Sequence, residues 1–449
     1  MKYCMKVFGC QMNTVDGERL ETVLQGLGWS PAEEDDADLV VMVTCSIREK
    51  AEQKVLSELG RFGKRWKRTG GPAVGVVGCM AQRVGASLFS RYPWVRLVAG
   101  PRHLGQIPAV IGPLFSTTDR FVLLDDDPVS VFDLGTPGIV RSNKWRGYVT
   151  IAHGCDNFCT YCIVPYVRGR FQSRPAKAIL EDVRALVEDG VLDVTLLGQN
   201  VNSYGTDFPE GPSFSDLIRE VAKADGLARL RFVTSHPKDF SREIVESMRQ
   251  NPVICPSVNL PIQSGSDRIL ERMNRGYTLE DYASKVAWIR EAFPDAGLTS
   301  DLIVGFPGET EADFQASLQA LQRFRYDLVH TAAYSKRPPS RAAAMEYQVA
   351  EEEKARRLNI VNDLQKGIAL SINRSLEGKT LEVLFDGPAP KGEGLIAGRT
   401  VSDKVVLAKG TDAEFGKIRK VRIEKGDAWS LHGVLERHAQ GEEGDVSCG

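Results

Sequence analysis

The sequence predicts an α/β protein in three parts: an N-terminal open parallel α/β sheet, a central partial (β/α)6 barrel and a small C-terminal all-β barrel. Three observations carry this reading. Apolar strand-like runs alternate with amphipathic helical stretches from residue 2 to about 114, six further apolar runs recur with helical patterns between them up to about 333, and short strands alternate with Gly-rich turns from 373 to 437. At roughly 100–200 residues per domain, 449 residues suffice for about two to four domains. The 57 Lys+Arg balance 59 Asp+Glu, and a 42% hydrophobic, 26% charged composition excludes a disordered chain or a fibre. No uncharged apolar run approaches the ~18–20 residues of a membrane helix, and the first ten residues hold no cleavable apolar segment, so a cytoplasmic protein without a membrane partner is expected.

In order, the first unit (1–116) reads as a strand at Tyr3–Phe8, a helix from Thr14, a strand at Asp38–Thr44, a helix from Ile47, and strands at Ala73–Val77 and Val95–Ala99. Residues 117–143, with an Asp run at 125–127 and the pair Pro137-Gly138, read as a linker. The second unit (144–371) has strand runs at Tyr148–Ala152, Asp193–Leu197, Leu230–Thr234, Ser257–Leu260, Leu298–Val304 and Leu328–Ala333, with helical patterns such as Lys177–Glu188 and Leu279–Ala292, and a charged helix from about Ala350 to Leu370 to close its side. The third unit (373–437) carries five short strand runs, from Leu381–Phe385 to Ser430–Leu435, and 438–449 is an acidic tail.

Nine cysteines in such a chain read as metal ligands or redox groups before disulfides. Cys155, Cys159 and Cys162 form a C-x3-C-x2-C loop directly after the first strand of the second unit. Soft thiolates select zinc or iron-sulfur clusters; a zinc site would need His153 as a fourth ligand, whereas a cubane on three cysteines leaves one iron open to a substrate. Cys10, Cys45 and Cys79 each follow a strand and precede a helix, positions that share the carboxyl edge of a parallel sheet, so they are expected to converge on a second open cluster. Cys4, six extended residues from Cys10, is too far to join them, and Cys255 and Cys448 receive no role.

The C-x3-C-x2-C loop with Tyr161 before its last cysteine, opening a six-unit barrel, resembles the radical S-adenosylmethionine (SAM) superfamily. That resemblance implies that the open iron chelates SAM and that one electron cleaves it to a 5′-deoxyadenosyl radical. Together with the cysteine trio and the C-terminal β unit, the chain resembles the methylthiotransferases over nearly its whole length, and within them the MiaB-type branch acting on tRNA. The carrying segments are Phe8-Gly9-Cys10-Gln11-Met12-Asn13, Gly154–Gly169, Gly198-Gln199-Asn200-Val201-Asn202-Ser203-Tyr204 and Leu260-Pro261-Ile262-Gln263-Ser264-Gly265-Ser266.

The resemblance implies two 4Fe-4S clusters, SAM as cosubstrate, and transfer of a methylthio group to carbon 2 of an isopentenyladenosine at position 37, beside the anticodon of tRNA. No protein side chain beyond the cluster ligands is assigned a catalytic role. Tyr161, Gln199, Asn200, Ser235, Asp301 and Gly305 are the candidate SAM contacts. Arg168, Arg275 and His236 are noted as polar residues beside these motifs, the arginines as candidates to hold a carboxylate or phosphate. The implied partners are the tRNA anticodon loop, a flavodoxin- or ferredoxin-like one-electron reductant and an unidentified sulfur donor. A net charge of −2 does not mark a nucleic-acid binder, so local patches must serve: Arg61, Lys64, Arg65, Lys67 and Arg68, and, in a β unit that resembles the TRAM RNA-binding module, Lys417, Arg419, Lys420, Arg422 and Lys425. The alternatives are methylthiolation of a threonylcarbamoyl-adenosine or of a ribosomal-protein aspartate, and, in a different class, a non-catalytic iron-sulfur RNA sensor.

Overall fold

The computed structural model describes residues 1–46, 49–124 and 140–436. The Asp run at 125–127, Pro137-Gly138, the helix start at Ile47 and the acidic tail lie outside them. The first sheet holds six parallel strands, β1 (Lys2–Val7), β2 (Ser30–Pro31), β3 (Leu39–Thr44), β4 (Ala73–Gly78), β5 (Val95–Ala99) and β6 (Phe121–Leu123), in the order β2-β1-β3-β4-β5-β6. β3 reads Leu-Val-Val-Met-Val-Thr and is buried throughout, as a strand covered on both faces must be. One face packs on Leu20 and Leu24 of α1 (Gln11–Gly26), the other on Val55, Leu59 and Phe62 of α2 (Glu49–Thr69).

Two boundaries differ from the sequence reading. α1 starts at Gln11 rather than Thr14, with Cys10 itself as N-cap and no side-chain bond there; Thr14 has the better capping chemistry, but the strand end places the turn three residues earlier. The expected linker opens with β6, a short edge strand paired to β5, whose three residues are too few to give a period-two signal.

The second unit contains β7 (Arg146–Thr150), a small antiparallel pair β8 (Ala152–His153) and β9 (Gln172–Ser173), then β10 (Asp193–Leu197), β11 (Arg229–Phe232), β12 (Ser257–Asn259), β13 (Gly297–Val304) and β14 (Leu328–Ala333). Its parallel strands run β7-β10-β11 and β12-β13-β14, joined across β11 and β12 by the Leu230–Ile254 bridge, which gives the expected six-stranded partial barrel. The helices Ala176–Glu188, Phe214–Val221, Arg242–Gln250, Leu279–Ala292 and Glu311–Phe324 cover its outside, and capping boxes at Ser213, Thr278 and Thr310 set the starts of the second, fourth and fifth. The barrel is open between β7 and β14. Met12 and Val15 of α1 pack on Leu197 beside Tyr148 and Val233 at the β7 side, while the helix Glu351–Arg374 lies on β14, with Gln365 donating to the Tyr326 carbonyl at 2.9 Å.

The C-terminal unit is a closed barrel of β15 (Thr380–Pro388), β16 (Leu395–Thr400), β17 (Val405–Lys409), β18 (Ile418–Gly426) and β19 (Leu431–Leu435), in the order β15-β16-β17-β19-β18. Val383, Phe385, Ile396, Val406 and Val421 fill it. It docks against the amino ends of the central strands. Arg229 donates to the Glu382 and Arg399 carbonyls, Arg231 to the Thr400 carbonyl at 2.8 Å and the Val401 carbonyl at 3.0 Å, and Arg231 also pairs with buried Asp193 at 2.9 Å. Lys404 pairs with Asp327 just ahead of β14, and Arg146 with Asp386. Arg231→Ala is expected to destabilise the protein by about 3–5 kcal/mol, because Asp193 is left buried and unpaired and two carbonyls lose their donor. A lowered denaturant midpoint, followed by tryptophan fluorescence, measures this; an unchanged midpoint rules it out.

Candidate metal centres at the strand ends

The register of the first sheet aligns the cysteine trio. Val7 pairs with Val43 and Thr44 with Gly78, so the chain leaves three adjacent strands at nearly one level, at Cys10, Cys45 and Cys79. The approach is close enough to need glycine. A Cβ on Gly9, whose φ is +115°, would sit 2.2 Å from Cys45 Cβ, and one on Gly78, at φ +96°, would sit 2.7 Å from the Thr44 carbonyl. Cys45 and Cys79 are each 1% exposed. A hydrogen bond from Cys45, helped by the charge of Arg168, brings the Cys10 thiol down to about 6, whereas burial pushes Cys79 up.

The second loop sits between β8 and the short helix Val164–Val167. Gly154, at φ +69°, lies so close to the Arg170 carbonyl that a Cβ would stand 2.0 Å away. The Cys162 amide donates to the Cys159 carbonyl at 2.9 Å, and Asn274 Nδ2 to the Asn157 and Phe158 carbonyls at 3.1 and 3.2 Å, so the loop is held before any metal arrives. Burial pushes the Cys155 thiol up to about 11 and Cys162 up to about 12; these groups stay neutral unless a cation binds. Cys159 has two polar neighbours, Arg275 Nη1 at 3.3 Å and His236 Nε2 at 3.9 Å. His236 Nδ1 accepts from the Lys238 amide at 3.2 Å, and burial and then the Arg275 charge hold the ring neutral, so its proton is on Nε2, facing the sulfur.

His153 is buried near Arg168, Arg19 and Arg174, and burial and then these charges hold its pKa well below the ordinary value. Among the described residues, no group of three or more His, Cys, Asp or Glu side chains could hold one metal ion. A motif of three cysteines suits a polynuclear cluster, in which each of three irons would take its own thiolate and the fourth would stay open. The two cysteine sites also meet: Cys79 packs on Ile163 and Val167, and Arg168 crosses to Cys79 Sγ at 3.2 Å.

The barrel mouth above the second loop holds buried polar atoms with no hydrogen-bond partner among the described residues: Gln199 Oε1, Asn200 Oδ1, Asn202 Nδ2, Ser235 Oγ and Gln263 Oε1. All follow β10, β11 or β12. Each such orphan costs about 1–3 kcal/mol, so a cluster of them marks a place that a polar ligand completes. Of the candidates named from sequence, Gln199, Asn200 and Ser235 belong to this cluster. Tyr161 packs with Ile269, Met273 and Phe306, and its hydroxyl accepts from Arg275 at 3.3 Å. Asp301 lies on the same strand face as Thr299 and Ile303 and accepts from Asn259 at 3.3 Å. Gly305 lies one residue past Val304, the end of β13; its amide is bonded to Glu309, and a Cβ would stand 2.4 Å from Lys354 of the covering helix.

Arg168 and Arg275, noted from sequence as carboxylate or phosphate holders, both donate to cysteine sulfurs, and Arg168 also pairs with the Asp16 carboxylate at 2.7 Å. Arg337, which sequence reasoning missed, reaches from the loop after β14 to the Ser46 carbonyl beside Cys45. Gln263 was missed as a site residue; its positive φ of 66°, rare for a residue with a side chain, is a mark only the structure shows. In the β barrel, Lys417, Lys420, Arg422 and Lys425 are exposed on or beside β18, while Arg419 is tied to Glu414 at 2.6 Å; Lys425 also pairs with Asp427 at 2.8 Å. In α2, Arg61 is bound to Glu34 and Glu58, and Arg65 to Asp35. No described helix is long and apolar enough to cross a membrane.

Comparison with known proteins accounts for all three units. Residues 2–100 match the Uncharacterized protein family UPF0004, 149–321 the radical SAM superfamily and 374–435 the TRAM domain. Among solved structures, the radical S-adenosylmethionine methyltransferase TsrM from Kitasatospora setae aligns with a TM-score of 0.55 at 16% identity over 76% of this chain and 75% of that one. The cobalamin-dependent S-adenosylmethionine radical enzyme OxsB aligns with a TM-score of 0.51 at 12% identity, over 81% of this chain and 56% of that one. These two share the fold. Curated relatives named tRNA-2-methylthio-N(6)-dimethylallyladenosine synthase are much nearer: that of Carboxydothermus hydrogenoformans is 42% identical over 96% of this chain and 99% of its own, and that of Citrifermentans bemidjiense 43% identical over 97% and 98%. The Aquifex aeolicus protein of the same name is 39% identical over 97% and 98%. With a trio of cysteines facing a radical SAM loop, and identity of this order along the whole length, the chain belongs to the tRNA-2-methylthio-N(6)-dimethylallyladenosine synthase family of radical SAM enzymes.

Proposed function

We propose that this chain adds a methylthio group to carbon 2 of isopentenyladenosine at position 37 of tRNA, using two 4Fe-4S clusters and SAM. The observation that carries the reading is the meeting of two three-cysteine sites at the carboxyl ends of two sheets, on a chain of this family. Cys155, Cys159 and Cys162 hold the cluster that, when bound, supplies the electron for SAM cleavage, and Cys10, Cys45 and Cys79 hold the auxiliary cluster that carries sulfur.

The protein's own part is positioning and exclusion. The orphaned atoms of Gln199, Asn200, Ser235 and Gln263 receive the polar groups of SAM, and Asp301 and Tyr161 line the same space. Met12 and Val15 of α1 shut the β7 side of the barrel, which keeps water from the reacting atoms. The work divides among 1–116, 144–371 and 373–437, the last of these holding the RNA through Lys417, Arg419, Lys420, Arg422 and Lys425 while a splayed nucleotide enters the mouth. A flavodoxin- or ferredoxin-like protein supplies electrons, a separate donor restores the sulfur, and the enzyme works in the cytoplasm.

The test is an anaerobic reaction of reconstituted protein with SAM, dithionite and isopentenyladenosine-containing tRNA, followed by mass spectrometry of the digested nucleosides. A methylthio adduct is expected. Formation of 5′-deoxyadenosine without the adduct transfers the reading to threonylcarbamoyl-adenosine or a ribosomal-protein aspartate, and no SAM cleavage at all leaves the sensor.

A further inference from the structure

Arg168 follows the second cysteine loop in sequence, yet its guanidinium lies in the first site. It is 3% exposed. Nε donates to Cys79 Sγ at 3.2 Å, and Nη2 to Asp16 Oδ2 at 2.7 Å and Asn13 Oδ1 at 3.2 Å. Asn13 is itself fixed, its Nδ2 donating to the Phe8 carbonyl at 2.6 Å, and its Oδ1 also lies 3.7 Å from Cys10 Sγ. One side chain from the barrel unit thus reaches Cys79 directly and Cys10 through Asn13. Arg337 holds the Ser46 carbonyl next to the third, and Glu52 ties Ser46 Oγ at 2.6 Å and Arg83 at 2.9 Å into the same edge.

Within this network one group is left over. Arg168 Nη1 is buried and has no hydrogen-bond partner among the described residues. A guanidinium cannot shed its proton, so the spare N–H groups either stay unsatisfied at a cost of about 1–3 kcal/mol or meet an acceptor that the chain does not provide. The neighbours are thiols converging on one space, and the acceptor that belongs there is anionic sulfur.

We propose that Arg168 is a positioning residue of the auxiliary centre, fixing Cys79 and Asn13 with Nε and Nη2 and donating from Nη1 to an anionic sulfur of the group that Cys10, Cys45 and Cys79 hold. This rests on the two-cluster reading above. Hydrogen bonds to cluster sulfurs and nearby charge are among the levers that set a cluster's potential, and a cation favours the more negative, reduced form.

The experiment uses the full-length chain carrying Cys155→Ala, Cys159→Ala and Cys162→Ala, so that only the auxiliary centre is loaded, reconstituted anaerobically with iron and sulfide. Iron content and the midpoint potential, followed by electron paramagnetic resonance, are compared with and without Arg168→Gln and Arg168→Lys. The Gln variant is expected to shift the potential to more negative values and the Lys variant, which keeps the charge but loses the fork, to shift it less. In the otherwise native protein, Arg168→Gln is expected to lower methylthiolation roughly 10- to 100-fold, the range typical of groups that support metal ligands. An unchanged potential in the iron-loaded Gln variant overturns the proposal. Should that variant not fold, Asp16→Asn tests the same network with the guanidinium kept: its potential is expected to rise, and an unmoved one is equally fatal. If the triple-alanine background alone binds no iron, the two-cluster reading falls and the proposal with it.

Discussion

Replacing any one of Cys155, Cys159 or Cys162 by Ala is expected to abolish reductive SAM cleavage, with 5′-deoxyadenosine falling by at least ~10³-fold, because the lost chemistry belongs to the cluster and enzymes commonly supply ~10⁶-fold or more. Much of what holds the loop lies outside these thiols: the positive φ of Gly154, the backbone bond from Cys162 to Cys159 and the amide of Asn274, none of which a Cys→Ala change removes. The variants should therefore melt close to the parent while losing iron at this site. The check is anaerobic turnover with dithionite, read by liquid chromatography; near-parental 5′-deoxyadenosine from any one variant would remove the loop from the radical chemistry.

The second large effect separates the two centres. Ala in place of Cys10, Cys45 or Cys79 is expected to eliminate the methylthio nucleoside while 5′-deoxyadenosine continues to form, since the residues that order the second loop, Asn274 and Arg275, come from the barrel itself. Cys45 and Cys79 are buried at strand ends, so their truncation removes one sulfur's packing and its local hydrogen bonds while the strand pairing of the sheet remains. Digested tRNA analysed by mass spectrometry, beside the 5′-deoxyadenosine yield of the same reaction, gives both readouts. Full methylthiolation by any of the three variants sinks the auxiliary assignment.

Both cysteine sets were legible in the sequence, for different physical reasons. The second is contiguous, and its spacing alone states its chemistry. The first is spread from 10 to 79, and became visible because strand-then-helix periodicity places each cysteine at the same step of a parallel sheet. The five strands of the C-terminal barrel were likewise legible from their turns. What stayed hidden is whatever depends on contacts between units. Arg168 and Asp16 are 152 positions apart, and Arg337 and Ser46 are 291 apart, so no local pattern announces either. The close packing at Gly305 was equally hidden: Glu309 four residues on bonds its amide, and Lys354, distant in sequence, lies against its Cα.

The β barrel lies against the amino ends of the central strands, and the reactive mouth is at their carboxyl ends. β13 has eight residues, which at ~3.3 Å per residue is about 26 Å of height between the two surfaces. Buried Arg229 and Arg231 hold that separation fixed, so the molecule works as a caliper. On the reading proposed above, an RNA that leans on the β18 lysines and still delivers a base to the mouth has to wrap the flank of the barrel. A short oligonucleotide touches one jaw only and forgoes the gain in effective concentration that comes from touching both.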